Sequence, residues 1–298
     1  MSSAKKQASA SENWYRHVPS YLRTKVEFVD LTKPAHLVQG PKPAIGVSRT
    51  LQPDLVVNHV LTEHVDCVVQ EGNPFFSTEV GAAAIICGSP KDFFKFPVST
   101  ILSPNELNKK SEQKMMRLFA SFKEPSEKTK LLNDLNHEAR TLSRSESFVS
   151  EAAMVADELI TNAIFNAPFV SDENRSGADR SLRTLISKDQ KNSEFFVATD
   201  GDRLILGCRD PFGGLDINYL LNKVYRCYVQ GVDKNINMGH GGAGIGSFMV
   251  FNTGASYYLA VEKGKQTIVC ASLPLKMSGS KRSLLPKNLL SVTIKEDI

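Results

Sequence analysis

The chain has 298 residues, 41% of them hydrophobic and 23% charged, with a formal net charge of +4. That balance is ordinary for a soluble globular protein, so a disordered chain is not expected. So small an excess of positive charge gives no warrant for a nucleic-acid partner. No apolar run reaches membrane-spanning length, and the stretch from Met1 to Lys6 holds no apolar signal core, so neither a membrane span nor a leader is expected. Five cysteines (Cys67, Cys87, Cys208, Cys227 and Cys270) show no paired spacing. Four of them lie in apolar or strand-like runs, which predicts reduced, buried thiols and a cytoplasmic setting.

The length allows one large or two ordinary domains. Residues 1–22 read as a polar tail, which Trp14 and Tyr15 would tack onto a domain surface. From Lys25 onward strand-like runs recur at Val26–Val29, Ala44–Val47, Asp66–Val69, Ala84–Cys87 and Val98–Leu102, with a helical pattern from Leu55 to Leu61. Strands alternating with helices predict an α/β domain over 23–124 with a parallel sheet of flavodoxin type. Residues 105–150 read as helical and charged, broken at Pro125, which marks the boundary to a second domain over 125–275. After Pro274 comes a basic, Ser-rich tail over 276–298, with a closing apolar run from Leu289 to Ile294 that reads as an edge strand or a docking segment.

In the second half, Met154, Val155, Ile160, Ala163 and Ile164 have helical spacing, and Glu158, Asn162 and Asn166 fall on one face of that helix. A carboxylate beside an amide oxygen suits a hard cation such as Mg²⁺, and the carboxylate is placed to take a proton. Further on, Gly239–Gly246 is a glycine run that opens into the apolar helix start Ser247–Phe251. Bare backbone amides at a helix N-terminus suit phosphate. Gly239, Gly241 and Gly244 also match the dinucleotide fingerprint, with Glu262 at a plausible distance, but residues 231–238 form a polar loop and not the apolar strand that fingerprint needs. Between helix and glycines, a hairpin is signalled by Glu194–Thr199, a turn at 200–202, and Arg203–Cys208; it ends at Asp210, followed by Gly213 and Gly214. A strand-end Asp can accept a hydrogen bond from an exocyclic amine. Residues 215–241 read as a lid containing a helix, and two late strands follow at 257–261 and 266–273.

Taken in order, the Glu-x-x-x-Asn helix, the strand-end Asp with its glycines, the lid and the Gly-x-Gly-x-Gly helix start resemble the GHKL ATPase superfamily, which includes histidine kinases, gyrase B and anti-sigma-factor serine kinases. The resemblance implies a Bergerat-type α/β sandwich that binds ATP and Mg²⁺. It assigns Glu158 as catalytic base, Asn162 as Mg²⁺ ligand, and Asn166 as a further nucleotide contact. Asp210 and Thr267 would hold adenine; Gly214, Gly242, Gly244 and Gly246 would serve the nucleotide and its phosphates. Phe212 stands where the family has the first glycine of Asp-x-Gly-x-Gly. Short spacing before Asn162 favours the compact form of the anti-sigma-factor kinases, so the expected function is an ATP-dependent serine/threonine kinase-like or ATPase regulator acting on a protein partner, with a homodimer as a further expectation. Two alternatives stay open: a catalytically weak ATP-binding adaptor, and an atypical histidine kinase. For the latter, His137-Glu-Ala-Arg-Thr-Leu is similar to a phosphoacceptor box, although too few residues separate it from Asn162 for a full dimerising hairpin. The N-terminal half resembles a degenerate response-regulator receiver domain. Ile101–Leu107 would be its last strand and turn, with Ser103 in place of Lys, and Gln70 stands where a phosphorylatable Asp is expected. Gln70 offers no carboxylate, which implies a docking module without phosphotransfer.

Overall fold

A computed structural model of the chain describes residues 13–32, 41–62, 65–165, 167, 191–235 and 245–294. The architecture is mixed α/β. Two compact units are present: Met1–Met115 with Leu285–Val292, and Met116–Leu284 with Thr293–Ile298. The first cut falls at Met115/Met116, ahead of the Pro125 position read from the sequence.

In the first unit, β1 (Glu27–Asp30), β2 (Ala44–Ser48) and β3 (Cys67–Gln70) pair in parallel, Phe28 opposite Ile45 and Ile45 opposite Cys67. Helix α1 (Pro53–Thr62) joins β2 to β3 and buries Val56 and Val57. Strands β2 and β3 are buried along their whole length, as expected of strands covered on both faces. Two expected strands are helices instead. Ala84–Cys87 lies in α2 (Phe76–Gly88), and Val98–Leu102 lies in α4 (Pro97–Leu102), which follows the short α3 (Pro90–Lys95). The reason is physical. Helix α2 is buried from Glu79 through Cys87, so its sequence carries no polar face and reads like a buried strand. Pro90 and Pro97 each open a helix, where a missing N–H costs nothing. The expected five-stranded flavodoxin-type sheet is therefore corrected. Three parallel strands run in the order β1-β2-β3, whereas the flavodoxin order places the first strand between the second and third. Helix α5 (Lys109–Met115) closes this part of the chain.

The strand expected at the C-terminus is β9 (Asn288–Ile294), whose Leu289 and Leu290 pair antiparallel with Val68 and Cys67 of β3. Gln70 holds this pairing in place. Its backbone N–H donates to Asn288 Oδ1 at 2.9 Å, its Nε2 donates to the Lys287 carbonyl at 2.5 Å, and its Oε1 accepts from Leu51 N–H. The side chain is fully buried, so every polar atom it leaves unpaired would carry a desolvation cost.

In the second unit, β4 (Met116–Phe122), β5 (Ser193–Thr199), β6 (Arg203–Asp210), β7 (Ser256–Glu262) and β8 (Gln266–Pro274) form an antiparallel sheet in the order β7-β8-β6-β5-β4. Met116–Phe122 was expected to be helical. Its period-2 exposure, with Arg117, Phe119 and Ser121 outward, is that of an edge strand. The β5–β6 hairpin turns where expected: Asp200 Oδ1 accepts from Asp202 N–H at 2.9 Å and Arg203 N–H at 2.8 Å, and Gly201 takes a φ of 88°. Helix α6 (Lys128–Leu142) packs beside α7 (Glu146–Phe165), and α7 lies against β6 and β8. The buried stripe of α7 runs through Phe148, Ala152, Val155, Leu159 and Ala163, which leaves Glu158 and Asn162 off the core-facing line. Helix α8 (Ile217–Gln230) is the helix expected in the lid; Asp216 caps it by accepting from Tyr219 N–H at 2.9 Å. Helix α9 (Ile245–Thr253) packs on α7 and α8. Helix α10 (Gly279–Ser283) is tied to α7 by buried Arg282, whose Nε donates to Glu151 Oε2 at 2.8 Å while its guanidinium lies 5.2 Å from the Phe148 ring centroid. Among the described residues no helix is long and apolar enough to cross a membrane.

The Gln70 bracket predicts that Gln70→Ala lowers unfolding stability by about 1–3 kcal/mol, because the buried Lys287 carbonyl and the part-buried Leu51 amide lose a partner. Urea denaturation of the full chain measures this, and a loss below about 0.5 kcal/mol would show that the bracket is not needed.

Candidate functional site

The second unit brings most of the described candidate residues into two neighbouring constellations on α7, α9, β6 and β8. The first is built on α7. Asn162 Nδ2 donates to Glu158 Oε1 at 2.8 Å, one helical turn apart, which fixes both side chains on the face away from the buried stripe. On the adjoining face Lys128 Nζ reaches Asp157 Oδ1 at 2.7 Å and Thr161 Oγ1 at 2.8 Å, locking the start of α6 to the same helix. Gly246, in the first turn of α9, comes up against the Glu158 carboxyl group so closely that a Cβ built on it would fall among the carboxyl atoms. A side chain at this position would displace the Glu158 carboxyl group, the far end of a flexible side chain, from its place against α9. The glycine run and the Glu-x-x-x-Asn helix, 80-odd residues apart in sequence, thus meet at Gly246. Asn166, Gly242 and Gly244 lie outside the described residues.

Two residues that the sequence reading did not single out join this group. Ser247, buried in α9, and Tyr257, buried in β7, bring their hydroxyls together beside Glu158. Burial pushes the Tyr257 hydroxyl pKa well up, and the Glu158 carboxylate pushes it further, while Ser247 opposes the shift. Ser247 had a signal in its position next to Gly246. Tyr257 had none, because an aromatic in an apolar strand reads as core.

The second constellation sits at the end of β6. Asp210 is paired in register with Thr267 of β8. Its Oδ1 accepts from Phe212 N–H at 2.9 Å and Gly213 N–H at 3.3 Å, an Asx-type turn that ends the strand. Phe212, where the resemblance expects a glycine, is compatible with this turn, since its own amide closes it. The glycine the turn requires is Gly213. Its φ is 62°, and a Cβ there would run into the Glu262 carbonyl and lie 2.7 Å from Lys265 N in the β7–β8 turn. Gly214, the position singled out from the sequence, is half-buried beside it and carries no positive φ.

Both amides converge on Oδ1 of Asp210, and Oδ2 accepts no main-chain bond among the described residues. Thr267 Oγ1 is buried and closes no hydrogen bond of good geometry, although it lies near enough to Asp210 to favour the charged carboxylate. Burial is the larger effect and raises the Asp210 pKa to about 6 from 3.8; the Phe212 amide, the Thr267 hydroxyl and the Gly213 amide only partly offset it. A buried acceptor and a buried hydroxyl, side by side and each under-used, are the kind of pair that a ligand completes.

The donor types also fit Mg²⁺, which takes one or two protein oxygens and completes its shell with phosphates and water. Glu158 and Asn162 supply such oxygens, and among the described residues no group of three or more His, Cys, Asp or Glu side chains forms a protein-only metal cage. His137 is exposed on α6. No protein-family model matches the sequence, and no curated protein matches it.

Asp210 gives a stability prediction with a definite sign. A carboxyl whose folded pKa is raised contributes stability below its ordinary value of 3.8, and that contribution is lost as pH rises through about 6. Asp210→Asn removes the buried charge while keeping an oxygen for the two amides. Urea unfolding should show the variant more stable than wild type by about 2 kcal/mol near pH 8 and by much less near pH 5. A variant less stable at both pH values would contradict the placement of Asp210.

Proposed function

We propose that the second unit binds ATP with Mg²⁺ in the manner of GHKL ATPases and acts on a protein partner as a serine/threonine kinase-like or ATPase regulator. The observation that carries this reading is the half-satisfied Asp210–Thr267 pair at the end of β6, a ready acceptor-and-hydroxyl edge for an adenine amine and ring nitrogen. The approach of Gly246 to Glu158 supports it by bringing the start of α9 to the Glu158–Asn162 face.

In this reading Asp210 accepts from the exocyclic amine, and Thr267 supplies its hydroxyl to the same ring edge. The main-chain amides at the start of α9 favour phosphate oxygens. Asn162 holds Mg²⁺, which when bound supplies charge neutralisation on the phosphates. Glu158 accepts the proton of the attacking hydroxyl, from water or from a partner's Ser or Thr. Tyr257 and Ser247 place their hydroxyls near that carboxylate.

A second reading, an ATP-binding adaptor with little catalysis, is favoured by two particulars. Glu158 Oε1 is already engaged by Asn162, and the Gln70 side chain in the first unit is taken up by the main chain of Leu51 and Lys287. The docking role expected of the first unit, the homodimer and the cytoplasmic location belong to the same proposal.

Calorimetry and phosphate release separate the two readings. Asn162→Ala should weaken Mg-ATP binding by about tenfold or more, while Glu158→Ala should bind ATP but lose turnover. Wild-type ATP binding with no turnover, alone or with candidate protein substrates, assigns the adaptor. Equal binding and equal turnover in wild type and both variants rejects the site.

A further inference from the structure

The first unit carries a cleft of about 430 Å³ between the 3₁₀ turn Ser20–Leu22, helix α3 and the segment after α4. Its wall includes Tyr21, Asp92, Phe96, Pro104, Asn105 and Leu107. Asp92 is the one charged side chain among the residues that line it. Two hydroxyls orient that carboxylate, and both use the same oxygen: Ser89 Oγ donates to Asp92 Oδ2 at 2.7 Å, and Tyr21 Oη donates to it at 3.4 Å. Among the described residues Oδ1 of Asp92 receives no hydrogen bond.

Around this half-used carboxylate stand two aromatic rings. Tyr21 is 49% exposed, far more than a ring kept for the core. The Phe96 ring is already a cation acceptor, since Lys95 Nζ lies 5.0 Å from its centroid. The Tyr21 hydroxyl is held protonated, by burial first and then by the Asp92 carboxylate, so it stays a donor to Oδ2 and leaves Oδ1 as the acceptor. A planar, weakly hydrated cation that stacks on aromatic faces and donates to a carboxylate is a guanidinium; a compact ammonium uses only part of this arrangement. Pro104 and Leu107 add apolar surface for the neighbouring residues of a chain, and the volume suits one side chain with its flanking backbone.

We propose that this cleft is a docking site for an arginine side chain of a protein partner, with the guanidinium on Asp92 Oδ1 between the rings of Tyr21 and Phe96. The site lies within the first unit and stands or falls independently of nucleotide binding.

The test is a titration of the ¹⁵N-labelled full chain with N-acetyl-arginine amide, which mimics arginine within a polypeptide. Saturable shifts should appear at the amides of Tyr21, Asp92 and Asn105. The neutral isostere N-acetyl-citrulline amide should bind about tenfold or more weakly, since it lacks the charge. Asp92→Asn should weaken the arginine amide by a similar factor, and Phe96→Leu, which keeps the carboxylate and its two hydroxyl donors, should weaken it several-fold. Citrulline amide binding as well as arginine amide, or no saturable shift in the cleft, overturns the proposal. Free L-arginine binding more tightly than the blocked form would make the cleft a metabolite site and also overturn it; this comparison needs no variant to fold.

Discussion

The second unit is organised around one close approach. At Gly246 the first turn of α9 lies against the carboxyl group of Glu158, in the space that a side chain at 246 would take. That contact brings the start of α9 to the face of α7 that carries Glu158 and Asn162. It also sets the position of Ser247 and, beneath it, Tyr257. A second steric demand acts at Gly213, which must pass the main chain of the β7–β8 turn with a positive φ. The Gly213 passage marks where β6 ends, and the Gly246 contact brings α9 to Glu158; the described candidate residues lie about these two points.

Electrostatics works against stability at the same place. Asp210 is a buried carboxyl with a raised pKa, held by two amides on one oxygen and next to a hydroxyl that finds no good partner. Retaining a charge there is the pattern of a residue kept for what it binds and not for what it stabilises. Arg282 shows the contrast. It is also buried, but its guanidinium is fully engaged by Glu151, Ser147 and the Met277 carbonyl, as a structural ion pair should be.

How much of this could be read beforehand depends on the kind of signal. The α7 helix, the β5–β6 hairpin, the α8 helix and the strands β7 and β8 were legible, because amphipathic spacing and turn residues mark them locally. Helices α2 and α4 were misread as strands: a helix buried on every side loses its periodicity, and only length and the prolines at its start distinguish it. Strand β4 was misread as helix because its charged neighbours in α5 and its alternating exposure blur at the junction Met115/Met116. Within the site, Glu158, Asn162 and Asp210 were visible as residue types at suggestive positions, whereas Thr267 came only from the family resemblance. Gly213 outranks Gly214 for a reason no spacing reveals, namely the backbone of a distant hairpin turn. Tyr257 was invisible because its role depends on what lies across from it.

The central claim is that the Asp210–Thr267 edge reads adenine in a nucleoside triphosphate. Its most direct test is calorimetric titration of the full chain with Mg-ATP and Mg-GTP at neutral pH, where Asp210 is ionised. The amine of adenine donates to the carboxylate, whereas the carbonyl of guanine at the same ring position opposes it, so ATP should bind about a hundredfold more tightly than GTP. Equal affinity for the two nucleotides, or no binding of either, would contradict the account.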